Sequence, residues 1–254
     1  MPDGPGVAAA SYVLYHSDGA TRVEGGVIDE GQACIFLNGV ELATVMCSPI
    51  AIKDLALGFL RLEGFIETLS DVRQIVLSKG GLCVDIWLNR EYTAPTRRIL
   101  TSGCGGGLTF DDLSAARPPM ASSLWVTPAQ ISEGMRQTNH AGELYQLVRG
   151  VHTACLSDGR RLVHVAQDIG RHNTLDMLGG HMFLNDIPGH GRILLTTGRV
   201  SAEIVQKVWR LGVPILVSHS APTSRALELL AEAGITLIGF VRGGRMNLYT
   251  EGKR

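Results

Sequence analysis

The residues most able to do chemistry sit in Thr101-Ser102-Gly103-Cys104-Gly105-Gly106-Gly107. A core cysteine is normally embedded among apolar side chains, whereas Cys104 has glycine on both sides in a polar stretch. Glycine lets the backbone turn tightly and lets a large partner approach the sulfur. A thiolate is a nucleophile, so covalent catalysis or sulfur carriage at Cys104 fits these residue types, and a loop with an incidental cysteine remains the alternative. No Gly-Lys-Ser/Thr follows, which excludes a Walker-type phosphate loop.

Three further stretches fall where strands should give way to helices. Gln167-Asp168-Ile169-Gly170-Arg171-His172-Asn173 is dense in polar side chains. The free amides of a helix start can hold an anion, and Arg171 can add a charged fork. His172 is the first candidate for a proton carrier and Asp168 the second. The plainer alternative has Asp168 capping the helix, with Arg171 and His172 solvated in its first turn. Thr196-Thr197-Gly198-Arg199-Val200-Ser201-Ala202-Glu203 and Ser218-His219-Ser220-Ala221-Pro222-Thr223-Ser224 repeat the theme. Loops of this kind in successive crossover units converge on one edge of a parallel sheet. Arg171, Asn173, Arg199, Ser201, Ser218 and Thr223 should therefore line a pocket of anion-binding character. Phe240-Val241-Arg242-Gly243-Gly244-Arg245 closes the last strand, where an aromatic ring and two arginines could meet a flat, phosphorylated ligand. A terminal hairpin turn is compatible with this.

The elements that must position these residues divide the chain into two rhythms. Residues 1–10 are rich in Gly, Ala and Pro and are expected to be poorly ordered. Residues 11–100 read as a smaller, antiparallel β-rich domain. Ala33–Leu37 and Val40–Cys47 flank an Asn38-Gly39 hairpin turn, a helix capped by Ser48 with Pro49 in its first turn follows, and Val72–Leu77 and Leu82–Leu88 form a second hairpin. Residues 101–126 form a long connecting segment with the cysteine in it, and the domain boundary is placed there. Residues 127–254 open with a helix capped at Thr127 and continue with a hairpin around Asp158-Gly159. Helices and strands then alternate, which predicts a mostly parallel sheet. Helix, hairpin, then alternation is the order of the cytidine-deaminase-like fold, and the class is α/β (α+β overall).

Composition removes several functions. There are 23 basic and 24 acidic residues, net −1, so no broad nucleic-acid or membrane-surface footprint is expected. No apolar run is long enough to span a bilayer and no secretory signal is visible. The five cysteines, Cys34, Cys47, Cys83, Cys104 and Cys155, are neither a disulfide framework nor a zinc ribbon, which suggests a reducing, cytoplasmic setting. A zinc deaminase needs H-x-E and P-C-x-x-C; neither occurs, so no zinc is expected.

Taken together, these motifs resemble the FdhD family (FdhD/NarQ), the formate dehydrogenase accessory sulfurtransferases. The likeness runs from about Glu41 to Thr250. It rests on Cys47-Ser48-Pro49, Leu55-Ala56-Leu57-Gly58-Phe59-Leu60 with Glu63-Gly64, and Gly150-Val151-His152-Thr153-Ala154. Asp168–Asn173, Gly198–Ser201, Ser220–Thr223, Gly239–Arg242 and Asn247–Thr250 extend it. The resemblance implies a sulfurtransferase, a sulfur carrier protein that takes sulfur from a cysteine desulfurase as a Cys104 persulfide. It would pass that sulfur to the molybdenum cofactor, bound as its bis(molybdopterin guanine dinucleotide) form, for formate dehydrogenase. It also implies cofactor contacts at Phe240, Val241, Arg242, Gly243, Gly244 and Arg245, a deaminase-like domain and a homodimer. Two departures stand out. The family's C-x-x-C loop has Gly107 at its second position here, and Gln167 stands where the family has glutamate. A single thiol can still carry a persulfide; the alternative is a cofactor-binding chaperone that transfers no sulfur.

Overall fold

The computed structural model describes residues 4–92, 99–100, 108–110 and 117–252. Its first two strands, β1 (Val7–His16) and β2 (Gly19–Ile28), form an antiparallel hairpin of their own. Residues 7–10 thus lie in a paired strand, against the expectation that residues 1–10 are poorly ordered. Strand β1 begins at Val7 because residues 7–10 find backbone partners at Gly25–Ile28. Next come β3 (Gly31–Leu37), β4 (Val40–Cys47), α1 (Ile52–Leu62), β5 (Val72–Leu77) and β6 (Cys83–Leu88). Asn38 and Gly39 both take positive φ, 51° and 79°, the geometry of a primed hairpin turn.

The four strands order as β4-β3-β6-β5, and β3 pairs with β6 in parallel. The small sheet is thus mixed where an all-antiparallel one was expected. Its centre goes to the two strands with the most deeply buried side chains, Ile35 and Leu37 against Val84 and Ile86, and strands buried at the centre tolerate parallel pairing. The start of α1 also differs from expectation. Ala51, at φ 47°, occupies the cap position with no side-chain cap, while the Ser48 backbone N–H donates to Asp168 Oδ2 at 2.8 Å. A tertiary bond has taken the place of a local one.

Two short strands, β7 (Ile99–Leu100) and β8 (Leu108–Thr109), pair antiparallel on either side of the cysteine-bearing stretch. Residues 101–107, Cys104 among them, lie outside the described residues.

The second half follows the expected order. Thr127 and Gln130 form a reciprocal capping box at the start of α2 (Pro128–Ala141), and α3 (Glu143–Val148) follows a break at Gly142. Then come β9 (His152–Ser157), β10 (Leu162–Asp168), α4 (Arg171–Leu184), β11 (Ile193–Thr196) and α5 (Ala202–Leu211). Strand β12 (Ile215–Ser218), α6 (Ser224–Ala233), β13 (Thr236–Arg242) and β14 (Arg245–Thr250) complete the chain. The six-stranded sheet has the order β10-β9-β11-β12-β13-β14. Its crossover strands β11, β12 and β13 run parallel, and the hairpins β9–β10 and β13–β14 add antiparallel pairings at both sides. The result is a mixed α+β fold. Leu194, Leu216 and Leu237 face the core shared with α4, α5 and α6; Ile193, Leu195, Ile215, Val217 and Ile238 face a smaller core with Ile131 and Met135 of α2.

The larger core runs without interruption from Ile35 and Leu37 through α1 to Leu175, Leu178 and the six-stranded sheet. Its closest approach is the crossing of α1 with α4. A Cβ built on Gly58 would stand 1.7 Å from Asp176 O, and one on Gly180 would stand 1.9 Å from Asp54 O. The helices meet backbone to backbone, which only glycine permits. Among the described residues no helix is long and apolar enough to cross a membrane.

Candidate functional site

Strands β11, β12 and β13 end on one edge of the sheet, as crossover strands must. There Thr196-Thr197-Gly198-Arg199, Ser218-His219 and Phe240–Arg242 lie side by side. The His219 N–H donates to Thr196 O at 2.9 Å, and the Phe240 N–H donates to Ser220 O at 3.0 Å. Strand β9 runs antiparallel to β11, so its first residue, His152, reaches the same edge. Thr197 Oγ1 lies 3.4 Å from His152 Nδ1 and accepts from the Thr153 N–H at 3.0 Å.

The first turn of α4 completes this corner. Arg171 is buried and lies directly on Gly198, where a Cβ would stand 2.9 Å from Arg171 Cβ. His172 is buried, with Nε2 2.7 Å from Glu203 Oε2 in the first turn of α5. Burial lowers the pKa of His152, and Arg171, His172 and the exposed Arg199 push in the same direction. Burial also lowers that of His172, against the pull of Glu203. At this corner Arg171 Nε and Ser201 Oγ are buried without a hydrogen-bond partner. Buried polar atoms are nearly always paired, so two orphans beside a helix N-terminus mark a place for an acceptor. With two guanidinium groups and unpaired donors in the first turn of α4 and at the start of α5, the corner suits an anion.

The next corner carries a flat face. Phe240 has φ 57°, a conformation that bulky residues rarely take, and its side chain stands 45% exposed. The Arg242 guanidinium lies 5.2 Å from its ring centre, and Arg242 Nε donates to His219 O at 3.1 Å. Val241 is buried beneath them. Gly243 and Gly244, at φ 54° and 77°, make the tight turn that sets Arg245 opposite Arg242. Backbone strain kept at an exposed aromatic suggests that the ring is wanted in place. Phe240→Gly is accordingly expected to leave unfolding stability unchanged or raise it by about 1 kcal/mol, by relieving the left-handed strain. If the edge takes the flat, phosphorylated ligand expected from its sequence, the same change should weaken that binding severalfold. Denaturant unfolding and nucleotide titration would check the pair, and a large loss of stability would refute the strain argument.

Other predicted residues are placed elsewhere. Asp168 is fully buried and holds the two halves of the chain together. Its Oδ1 accepts from the Gly170 N–H and from Asn173 Nδ2, and its Oδ2 from the Ser48 N–H. Asn173 also donates to Met46 O at 2.8 Å. Burial pushes the Asp168 pKa up to about 6 despite these donors. Asp168 does not cap α4, whose cap position is Gly170. Ser218 is fully buried, and its hydroxyl donates to Gly198 O at 2.8 Å, shaping the edge from below. Thr223 caps α6 by accepting from the Ala226 N–H. Gln167 accepts from the Leu144 N–H and donates to Thr153 Oγ1, so the amide that replaces the family's glutamate serves as a cross-link between α3 and β9. His152, Thr197 and Glu203 join the site without having been singled out. The signal for His152 was its place at the start of a strand, readable only once β9 is known to pair antiparallel with β11.

Beneath the edge lies a buried charge cluster. Lys207 of α5 is 2.5 Å from Asp176 of α4 and 3.6 Å from Glu63 at the end of α1. The two carboxylates hold Lys207 charged, and burial pushes the pKa of Asp176 up to about 6. Glu63 Oε2 also accepts from Thr109 Oγ1 at 2.7 Å and the Phe110 N–H at 2.9 Å, so the residues just after the cysteine-bearing stretch are fastened to this cluster. Among the described cysteines, burial pushes Cys47 up to about 12 and Cys155 up to about 11. A hydrogen bond with Cys83, reinforced by burial, raises Cys34. None of these three is poised as a thiolate.

Known proteins resemble this chain over most of its length. The sequence matches the profile of the FdhD/NarQ family over residues 28–254. It is 34% identical over 251 residues to the sulfur carrier protein FdhD of Staphylococcus haemolyticus (strain JCSC1435), covering 96% of this chain and 95% of that protein. It is 35% identical over 235 residues to the sulfur carrier protein FdhD of Bacillus pumilus (strain SAFR-032), covering 90% and 89%. A crystal structure of a candidate formate dehydrogenase accessory protein from Desulfotalea psychrophila superimposes with a TM-score of 0.79 at 25% identity, covering 97% of each chain. Profile, relatives and fold agree over nearly the whole length, and the chain belongs to the FdhD/NarQ family.

Proposed function

We propose that this protein is a sulfur carrier for formate dehydrogenase maturation, acting on the molybdenum cofactor as its substrate. The observation that carries the reading is the sheet edge that holds unpaired Arg171 Nε and Ser201 Oγ at one corner and the exposed Phe240–Arg242 pair at the next. Unpaired donors suit phosphates, and a strained aromatic with a guanidinium over it suits a flat base, the two parts of a guanine dinucleotide. Sulfur loading is a thiol exchange: the Cys104 thiolate attacks the outer sulfur of a desulfurase persulfide, and the donor cysteine leaves as its thiolate. Cys104 is chosen for this step because it alone of the five cysteines lies in a glycine-flanked polar stretch. In this reading His172, whose Nε2 contacts Glu203, would exchange a proton with bound substrate. A reducing cytoplasm and a homodimer belong to the same reading.

Incubation with a cysteine desulfurase and cysteine should add about 32 Da, one sulfur atom, to the intact chain. Cys104→Ser should abolish both that adduct and the maturation of formate dehydrogenase. An adduct that survives the substitution would overturn the assignment. Gly107 favours a second reading, a chaperone that binds the cofactor and moves no sulfur. That reading predicts no adduct at all, with guanine-nucleotide binding that survives Cys104→Ser. In either case Arg242→Ala with Arg245→Ala should weaken nucleotide binding, and unchanged binding would count against the pocket.

A further inference from the structure

Away from the sheet edge, Asp54 of α1, His164 of β10 and His181 of α4 bring a carboxylate oxygen and two imidazole nitrogens within 4.8 Å of one another. The imidazole rings stack with centroids 3.5 Å apart and planes 1° from parallel. His181 Nδ1 is 3.9 Å from Asp54 Oδ2. The amide of exposed Asn185 lies 3.4 Å from the same nitrogen and donates to His181 O. All three side chains are partly buried. His181 stands nine residues along α4 from His172, about 13 Å at the rise of a helix, so the cluster is separate from the proposed substrate site.

We propose that Asp54, His164 and His181 form a binding site for a divalent first-row transition ion, with Zn2+ the ion that fits best. Two imidazoles and one carboxylate are a recurrent ligand set for such ions, and they leave open positions for water. The ligands sit on rigid elements. Asp54 and His181 flank the α1–α4 crossing, where Gly180 brings the two backbones into contact, and His164 lies on the adjoining strand. Donors about 2.1 Å from one tetrahedral ion stand about 3.4 Å apart, so separations of up to 4.8 Å must shorten by as much as about 1.4 Å. The rings must also turn out of their parallel stack so that their lone pairs converge. Partial exposure of Asp54 and His181, 23% and 26%, leaves room for that turn. The ion would pin α1 to α4 and β10 as a structural clamp. The site shares no residue with the deaminase motifs whose absence led to the expectation of no zinc, and it revises that expectation for binding alone.

The test uses the full chain after chelator treatment, titrated with Zn2+ by calorimetry and with Co2+ by visible absorption. The expected result is one ion per chain, a Co2+ spectrum of nitrogen and oxygen ligands, and a melting temperature that rises with Zn2+. His164→Gln with His181→Gln should lower the affinity at least about 100-fold while the near-ultraviolet circular dichroism stays that of the parent. A Cys34→Ser, Cys83→Ser variant should bind as the parent does. Should the histidine variant fail to fold, NMR of the unaltered chain decides: Zn2+ should shift the ring signals of two of the eight histidines. Absence of binding, undiminished binding by the folded histidine variant, thiolate charge-transfer bands from Co2+, or no histidine shift would each overturn the proposal. In that case the cluster is a packed imidazole pair and no more.

Discussion

Gly58→Ala is expected to lower the unfolding free energy by about 4 kcal/mol or more, and to leave little folded protein at physiological temperature. The methyl group would stand 1.7 Å from Asp176 O, 2.6 Å from Asp176 C and 2.6 Å from Gly180 N. All three are backbone atoms inside α4, so no side chain can swing aside. Relief requires the helices to separate, which loosens the packing of Leu55, Leu57, Leu60 and Leu62, each nearly or fully buried. Overpacking of side chains alone usually costs about 1–3 kcal/mol, and a backbone collision at a core crossing exceeds it. Gly80→Ala is the control, because a Cβ there meets nothing within 4 Å. Chemical denaturation of both variants would decide the matter. A Gly58→Ala protein within about 1 kcal/mol of the parent would refute the backbone contact.

Lys207→Met should be nearly as damaging, in a manner that depends on pH. Removing the cation leaves Asp176 and Glu63 buried together without a counter-charge, and breaking a buried ion pair in this way costs about 3–5 kcal/mol. The pKa of Asp176 is already raised to about 6 with the lysine present, and it rises further without it. A raised carboxylate pKa means that the folded chain binds more protons than the unfolded chain between the two pKa values. Stability from that proton is present at low pH and is lost as pH rises through the folded value. The deficit of Lys207→Met relative to the parent should therefore be largest near pH 8 and shrink toward pH 5. Urea midpoints at three pH values would show this, and a deficit independent of pH would exclude the buried carboxylates as its source. Thr109 and Phe110 donate to Glu63, so the variant should also loosen the anchor that follows the cysteine-bearing stretch.

Much of the fold was legible because local chemistry decided it. Asn38-Gly39 wrote its own hairpin, Thr127 with Gln130 its own capping box, and the helix–strand alternation from Arg171 onward its own crossovers. Reading failed where a distant group overrode the local preference. Ser48 looks like a helix cap until Asp168, 120 residues away, accepts a hydrogen bond from its backbone N–H. The parallel β3–β6 pair was hidden because strand composition reveals burial but not which neighbour provides it. At the site, loop composition foresaw that Arg171, Arg199 and Ser218 would share an edge. It could not assign Asp168 and Asn173 to an internal latch, because a buried carboxylate and a substrate-facing one look alike in sequence. Glu63, Asp176 and Lys207 were unreadable as a cluster for the same reason: three charges on three separate helices reveal nothing until the helices cross.

That crossing also sets the order in which the molecule can form. Gly58 and Asp176 are more than a hundred positions apart, and the bonds from Ser48 to Asp168 and from Asn173 to Met46 close loops of 120 and 127 residues. Contacts of such long range make folding slow, since the entropy of loop closure is lost before any contact forms. On the ribosome, α1 must wait for α4. At synthesis rates of about 5–20 residues per second, its apolar stripe is uncovered for many seconds. During that interval the nascent first half, with Leu55, Phe59 and Leu62 bare, is the species on which chaperones or aggregation will act.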